Sequence, residues 1–249
     1  MQVLTDEELQ EPLDVPSPEE QRMTFQIAMV GCDGLVIGSD RRAQYAESGI
    51  PRFPQPISQQ KFFVSESQSI TCFAAGGVTA INLARKITID CDLPLGTKGA
   101  SESEWMQNVY AAAATPPDLP PNSLVSQGED EILIVRRDVT NAFWLLLRRP
   151  RVIPIPTITK VMDRICTGCK TAALFLPAHL WTRDMNTHCL QKLATLTLSY
   201  ATQEDPSSVG PPFDIMTLDN TGHITWSENE PIHENFQVGL ERLFAEYGG

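Results

Sequence analysis

The chain has 249 residues, of which 42% are hydrophobic and 20% are charged, a normal composition for a globular protein. This composition excludes collagen, coiled coil and wholesale disorder. Acidic residues outnumber basic ones by 31 to 19, for a formal net charge of −12, so there is no basic surplus for phosphates or anionic lipid. No apolar stretch approaches the roughly 20 residues that span a bilayer. We therefore expect no nucleic-acid partner and no membrane partner.

The first 22 residues differ from the rest of the sequence. They hold seven carboxylates against one arginine, with three prolines interspersed, and such a segment buries too little apolar surface to fold. It has neither the basic start and apolar run of a secretory signal nor the basic character of a transit peptide. We expect residues 1–22 to be a disordered extension or propeptide, residues 23–249 to form a single domain, and the protein to be cytoplasmic.

The six cysteines are expected to be reduced thiols, mostly small core residues, because the chain carries no export signal. Cys166 and Cys169 form a CTGC pair that has the spacing of half a zinc site. No second pair accompanies it, so metal binding is the minority interpretation. We expect no metal and no organic cofactor.

The first folded elements form a predicted hairpin. The apolar runs FQIAMV and LVIGSD flank the turn GCDG, a strand, Asp-Gly turn and strand pattern. If Val30 faces Leu35, the numbers of opposed residues sum to 65. Thr24 then lies opposite Arg41 and one step from Asp40.

A second strand pair and a helix follow. The strands are KFFVS and ITCFAAG, and Gly76-Gly77 ends the pattern. Five small or apolar residues then recur at i, i+3, i+4, i+7 and i+11, which predicts one buried stripe on a helix. They are Ala80, Leu83, Ala84, Ile87 and Cys91.

The remaining elements indicate an α+β fold with mostly antiparallel sheets. We predict a helix from Glu102 to Ala114, a strand pair EILIV and AFWLLL, and a closing hairpin of FDIMTLD and HITW. Before that hairpin, an amphipathic helix presents one apolar face, composed of Met185, Cys189, Leu193, Leu196 and Tyr200.

The order of these motifs resembles the β-type proteasome subunits, of the N-terminal nucleophile (Ntn) hydrolase family. MTFQIAMVGCDGLVIGSDRRA is similar to that family's opening, in which a threonine starts a strand and the return strand ends in S/A-D-x-R-A. KFFVSESQSITCFAAGG resembles its second strand pair, QEDPSSVG its D-x-x-S-G-G loop and TLDNTGHITW its last hairpin. The similarity covers roughly residues 23–230. It implies a four-layer α-β-β-α sandwich.

The resemblance also implies a catalytic set. Thr24 falls at the position of the nucleophile, Asp40 at the acid after the return strand, and Lys61 at the lysine that opens the third strand. A threonine at a chain terminus has an α-amine, of reference pKa about 7.7–8.0, that can take the hydroxyl proton. A buried lysine would favour the ionised hydroxyl and lower the pKa of that amine, with Asp40 orienting the lysine. Gly76 would supply the oxyanion-binding N–H.

Three supporting positions match only in part. Asp205 and Ser208 fit D-x-x-S, but Val209 replaces the first glycine that follows. Cys169 stands after Gly168 where the family has Gly-Ser, so a thiol replaces a hydroxyl there. The connection from the acid to the lysine is about five residues longer than expected, which leaves substrate preference open. Asp205, Ser208 and Cys169 would hold the amine in place.

Each residue alone also has a structural interpretation. Asp40 followed by two arginines is typical of a solvated turn with surface ion pairs. Lys61 is typical of a charge at a strand edge, and Ser208 is typical of an ordinary loop residue. Their order along the chain favours the site. Because Met23 precedes Thr24, exposure of Thr24 requires either initiation at Met23 or processing.

We therefore expect a threonine-type peptide hydrolase that acts in protein breakdown. Its substrate would be a peptide or an unfolded protein, and it would work in a homo- or hetero-oligomeric ring. Two alternatives stay open at this point. One is a non-catalytic structural subunit of such a ring, and the other is a stand-alone Ntn amidohydrolase acting on a small amide.

Overall fold

The structure is a computed structural model. It describes residues 24–44, 56–76, 78–92, 101–115, 129–137, 142–150, 155–168 and 172–229, together with residues 231, 238 and 245. The predicted extension of residues 1–22 lies outside the described residues, as do Gly77 and Cys169. The division of the chain at residue 22 stays a prediction.

Strands outnumber helices among the described residues. The strands are β1 Phe25–Val30, β2 Gly34–Asp40, β3 Arg42–Gln44, β4 Pro56–Ser58, β5 Phe62–Val64, β6 Ile70–Ala75, β7 Glu129–Arg137, β8 Ala142–Pro150, β9 Thr157–Lys160, β10 Arg164–Gly168, β11 Phe213–Asp219 and β12 Ile224–Asn229. The helices are α1 Val78–Asp90, α2 Glu102–Ala114, α3 Phe175–Leu180 and α4 Thr187–Glu204, with a short 3-10 turn at Ala172–Leu174.

The strands form two five-stranded sheets and a separate pair. The first sheet has the order β10-β1-β2-β11-β12 and the second has the order β5-β6-β7-β8-β9, while β3 pairs with β4. Every pairing is antiparallel. Because β10 and β11 flank the first hairpin from distant parts of the sequence, β1 and β2 are inner strands of the first sheet.

The register predicted for the first hairpin is confirmed. Val30 pairs with Leu35, and Gln26 pairs with Ser39, so opposed residues sum to 65. The helix predicted from Glu102 to Ala114 is confirmed at both ends. It begins at a capping box, in which the side chains of Ser101 and Glu104 each accept a hydrogen bond from the other's backbone N–H.

Apolar clusters join the sheets to each other and to the helices. The predicted stripe on α1 is buried, as expected, and packs with α2 against the second sheet. α4 packs against the first sheet, but it begins at Thr187, with Asn186 as its N-cap, so Met185 precedes the helix whose face it shares. Between the sheets lie Ala28, Leu35, Ile37, Phe73, Leu133, Val135, Leu146 and Met216.

The expected four-layer α-β-β-α sandwich is wrong as a description of this structure. The described residues form two antiparallel sheets with few helices, an α+β fold that is mostly sheet. The helices do not make complete outer layers, because α3 has only six residues and most side chains of the edge strands β9 and β12 are exposed. No helix in the described part of the chain is long and apolar enough to cross a membrane.

Candidate active site

Thr24 lies immediately before β1, at the end of an inner strand of the first sheet. Its exposed fraction is 1%. The next residue, Phe25, is paired with Gly168 of β10, and the following residues of β1 pair with β2 on the other side. Strand pairing on both sides therefore fixes the backbone that carries Thr24.

The Asp40 carboxylate ties the start of β1 to the end of β2. Its Oδ1 accepts a hydrogen bond from the backbone N–H of Phe25 at 2.8 Å. Its Oδ2 accepts one from the backbone N–H of Arg42 at 2.9 Å. Asp40 is fully buried. The structure thus places a carboxylate one residue from Thr24, where the register of the hairpin predicted it.

Lys61 completes this group from the second sheet. It lies directly before β5, and its Nζ donates to Oδ1 and Oδ2 of Asp40, at 3.0 Å each. The lysine is buried, with 3% exposed. A buried ion pair of this kind is retained only where its geometry is good, because both ions lose their hydration. Asp40 is therefore not a solvated turn residue, and Lys61 is not a surface charge at a strand edge.

Burial raises the pKa of the Asp40 carboxyl above its ordinary value. The Lys61 ammonium and the backbone N–H groups of Phe25 and Arg42 act in the opposite direction. The carboxyl therefore depends on these partners to carry a charge in a position that water does not reach.

Gly76 directly follows β6, the strand that is hydrogen-bonded to the backbone of Lys61. The Lys61 carbonyl oxygen accepts a hydrogen bond from the backbone N–H of Ala74 at 2.8 Å, two residues before the glycine. Gly76 has φ of +140°, a conformation that residues with a Cβ rarely adopt. This explains why a glycine stands where the chain passes from β6 towards α1.

Gly168 approaches the nucleophile position more closely than the sequence indicated. Its φ is +88°, and a Cβ added to it would lie 1.8 Å from the carbonyl oxygen of Thr24. Only a residue without a side chain fits against this backbone. The sequence predicted Gly168 merely as the neighbour of Cys169.

Asp205 and Ser208 form a second group, in the loop after α4. Asp205 is the C-cap residue of α4, and its backbone N–H donates to the carbonyl oxygen of Ala201. Its carboxylate accepts a hydrogen bond from the backbone N–H of Ser208 at 3.1 Å. Partial burial acts to raise the pKa of Asp205, but hydrogen bonds from Ser207 and Ser208 outweigh it and lower the pKa. The loop reaches the end of β2, where the carbonyl of Gly210 accepts from the N–H of Arg41 at 3.3 Å.

Two buried polar side chains near Thr24 were missed in the sequence. The Gln26 amide donates to the carbonyl oxygen of Ala74 at 2.8 Å and so joins β1 to β6. Glu131, on β7, accepts a hydrogen bond from the backbone N–H of Gly168 at 2.8 Å. A glutamine in an otherwise apolar strand was a signal that could have been used. Glu131 resembled an ordinary flanking charge.

Burial makes two of the described thiols poor nucleophiles at neutral pH. Burial raises the pKa of Cys166 to about 12 and that of Cys91 to about 11. The described ranges contain no group of three or more His, Cys, Asp or Glu residues suited to a metal ion.

No protein-family model matches the sequence, and no curated protein matches it. Solved structures do share the fold. An Anbu (Gly-1) mutant from Hyphomicrobium sp. strain MC1 has a TM-score of 0.63 at 14% identity, over 91% of this chain and 100% of that one. Anbu from Yersinia bercovieri, described as an ancestral beta-subunit, has a TM-score of 0.61 at 14% identity, over 90% of this chain and 97% of that one. The Anbu complex of Pseudomonas aeruginosa, a helical assembly, has a TM-score of 0.58 at 15% identity, over 90% of this chain and 94% of that one.

These comparisons correct the family resemblance. The neighbours found are Anbu proteins, a family distinct from the β-type proteasome subunits that the motifs suggested. The Asp-Gly hairpin and the glycine-terminated strand reflect backbone geometry that related folds share, so they do not discriminate between families. At this identity the likeness establishes the fold alone.

Proposed function

We propose that the chain is a threonine-type peptide hydrolase, with Thr24 as its nucleophile once Thr24 is the first residue. One observation carries the proposal. The buried carboxylate of Asp40 accepts hydrogen bonds from both the backbone N–H of Phe25 and the Nζ of Lys61. The Lys61 ammonium is therefore fixed beside the residue that follows Thr24. An ion pair that only stabilised the fold would not require the hydrogen bond from the Phe25 N–H at the start of β1.

The chemistry follows from the residue types. The Thr24 hydroxyl oxygen attacks the substrate carbonyl carbon, and its proton passes to the α-amine of Thr24. The α-ammonium of Thr24 then gives this proton to the departing amine of the substrate. The acyl part of the substrate stays on Thr24 as an ester. Water, deprotonated by the same α-amine, hydrolyses this ester and regenerates the hydroxyl. Lys61 acts as a fixed cation, and the N–H of Gly76 stabilises the oxyanion.

The supporting groups would act on the amine. Asp205 and Ser208, in the loop joined to β2 through Gly210, would orient the α-amine once it exists. Cys169, outside the described residues, is proposed for the same task. The substrate would be a peptide or an unfolded protein. The protein would act in protein breakdown in the cytoplasm.

The proposal includes an oligomer. The Anbu complex from Pseudomonas aeruginosa is described as a helical assembly, and the protein from Yersinia bercovieri as an ancestral beta-subunit. These neighbours support a general link to proteasome-related assemblies. We propose a homo- or hetero-oligomer of this chain, without fixing its symmetry.

A non-catalytic subunit is the second candidate, and the burial of Thr24 favours it. With Met23 attached, the α-nitrogen of Thr24 is an amide, which is not a base, and the residue is only 1% exposed. Loss of the preceding residues is thus the step that separates the two candidates.

The test compares chains that begin at Met1 and at Thr24, assayed on fluorogenic peptides. We expect turnover only from the chain that begins at Thr24. A chain with Thr24→Ala should be inactive, and one with Thr24→Ser should retain part of the activity because it keeps a hydroxyl and an α-amine. Equal inactivity of all four chains, in their native assembly, would establish the non-catalytic subunit.

A further inference from the structure

Two consecutive carboxylates on β7 face opposite sides of the second sheet. Side chains alternate along a strand. Asp130 points to the helices, where it binds Thr79 Oγ1 at 2.7 Å and Arg149 at 2.8 Å. Glu131 points to the first sheet. Both are buried, and each is opposite an arginine of β8 in the register, Arg149 and Arg148 respectively.

Glu131 uses its two oxygens for different tasks. Oε1 accepts from Nε of Arg148 at 2.9 Å, within its own sheet. Oε2 crosses to the first sheet and accepts from the backbone N–H of Gly168 at 2.8 Å. A buried carboxylate is costly unless paired, and here the arginine compensates its charge and leaves one oxygen for the other sheet.

The two ends of this bridge are the two parts of the proposed reaction centre. Gly168 lies against the carbonyl of Thr24, closely enough to exclude any Cβ. On the other side, Glu131 is paired in the strand register with Ala75, the residue before Gly76. One side chain therefore connects the backbone of the nucleophile to the strand that ends at the oxyanion-binding glycine.

We propose that Glu131 is a positioning residue, which sets the distance between Thr24 and the N–H of Gly76. This inference rests on the proposed function, because it assigns Glu131 a part in the same reaction. Glu131 acts through the amide of Gly168, from whose N–H it accepts a hydrogen bond. An error of about 1 Å in such an alignment lowers turnover by roughly 100-fold.

The kinetic test uses Glu131→Ala and Glu131→Gln, with Asp130→Asn as the matched control. Asp130 is the adjacent buried carboxylate with its own arginine, but it faces the helices. In the chain that begins at Thr24, we expect Glu131→Ala to lower kcat roughly 100-fold with little change in KM. Glu131→Gln keeps an accepting oxygen for Gly168 and should recover most of that loss. Asp130→Asn should lower Tm with kcat unchanged.

A second readout separates failure of this inference from failure of the proposed function. Hydrogen exchange is followed in peptides covering residues 24–30 and 164–168. We expect Glu131→Ala to speed exchange in both peptides more than in the rest of the chain, and Asp130→Asn to cause no such local excess. If the protein has no hydrolase activity but shows this exchange pattern, the positioning role of Glu131 is supported and the proposed hydrolase function is wrong.

Two results would overturn the role of Glu131. One is exchange at residues 24–30 and 164–168 that is the same in Glu131→Ala as in the unaltered chain. The other is a loss of kcat that is equal in the Glu131→Ala and Asp130→Asn chains and is not rescued by Glu131→Gln, which would reduce Glu131 to a general contributor to folding.

Discussion

Lys61 and Asp40 form a two-oxygen ion pair across the two sheets, with Nζ at 3.0 Å from each carboxylate oxygen. The exposed fractions of the two side chains are 4% and 0%. The pair therefore serves the fold as well as the proposed reaction, since it fastens the segment before β5 to the end of β2. Its removal has consequences that can be measured without any substrate.

Replacing Lys61 alone should destabilise the protein strongly. Lys61→Met leaves the Asp40 carboxyl buried without its counter-ion, which costs about 3–5 kcal/mol in the free energy of unfolding. The control is Lys86→Met, which breaks the exposed pair of Lys86 with Asp90 on α1 and should cost less than about 0.5 kcal/mol. Urea denaturation measures both. Equal losses would mean that the Asp40 partner is not buried as described.

Gly168 should tolerate no side chain. Gly168→Ala combines a positive φ with a contact of 1.8 Å to the Thr24 carbonyl oxygen, so we expect a loss of roughly 3 kcal/mol or more. Gly222 is the matched control, because its φ of +82° is similar but the nearest atom to an added Cβ is 3.8 Å away. Gly222→Ala should cost only the roughly 1–2 kcal/mol of the backbone conformation.

Thermal or urea unfolding distinguishes the two glycines. A difference of at least about 1 kcal/mol between the variants is the expected result. Variants with the same stability would contradict the close approach of β10 to Thr24.

Alkylation should report the environment of the thiols. At pH 8 a thiol with a pKa of about 12 is ionised in roughly one molecule in ten thousand, so Cys166 should react very slowly. Cys32 is exposed and should be labelled first among the cysteines that the structure describes. Peptide mapping after brief treatment with iodoacetamide identifies the sites. Labelling of Cys166 should rise tenfold for each pH unit up to about pH 11, and rapid labelling at pH 7 would contradict its burial.

Assembly can be tested on the unmodified chain. We expect light scattering to give a particle several times the mass of one chain. A stable monomer that hydrolyses small amides would contradict this prediction and favour the stand-alone amidohydrolase.

Local patterns predicted much of the fold. The hairpin register followed from a short apolar run, an Asp-Gly turn and another apolar run. The helix α2 was also predicted with both its ends, and the structure adds the capping box at its start. These features depend on neighbours within a few residues. The pairing of β1 with β10 joins residues some 140 positions apart, and nothing local to RICTG indicates it.

The site divides in the same way. Asp40 and Lys61 were predicted from motif order, and the structure brings them together. Glu131 was not predicted, because a glutamate before an apolar strand usually marks the solvated end of that strand. Its burial results from the packing of the second sheet against the first, which is a tertiary property.

The central claim is that Thr24 is a nucleophile, and covalent capture tests it most directly. The chain that begins at Thr24 is treated with a peptide that carries a threonine-directed electrophile, and the adduct is located by mass spectrometry. We predict one adduct per chain, on Thr24, that is lost in Thr24→Ala and formed far more slowly when Lys61 is replaced by methionine. No adduct on a folded chain that begins at Thr24, or the same adduct in Thr24→Ala, would contradict the claim.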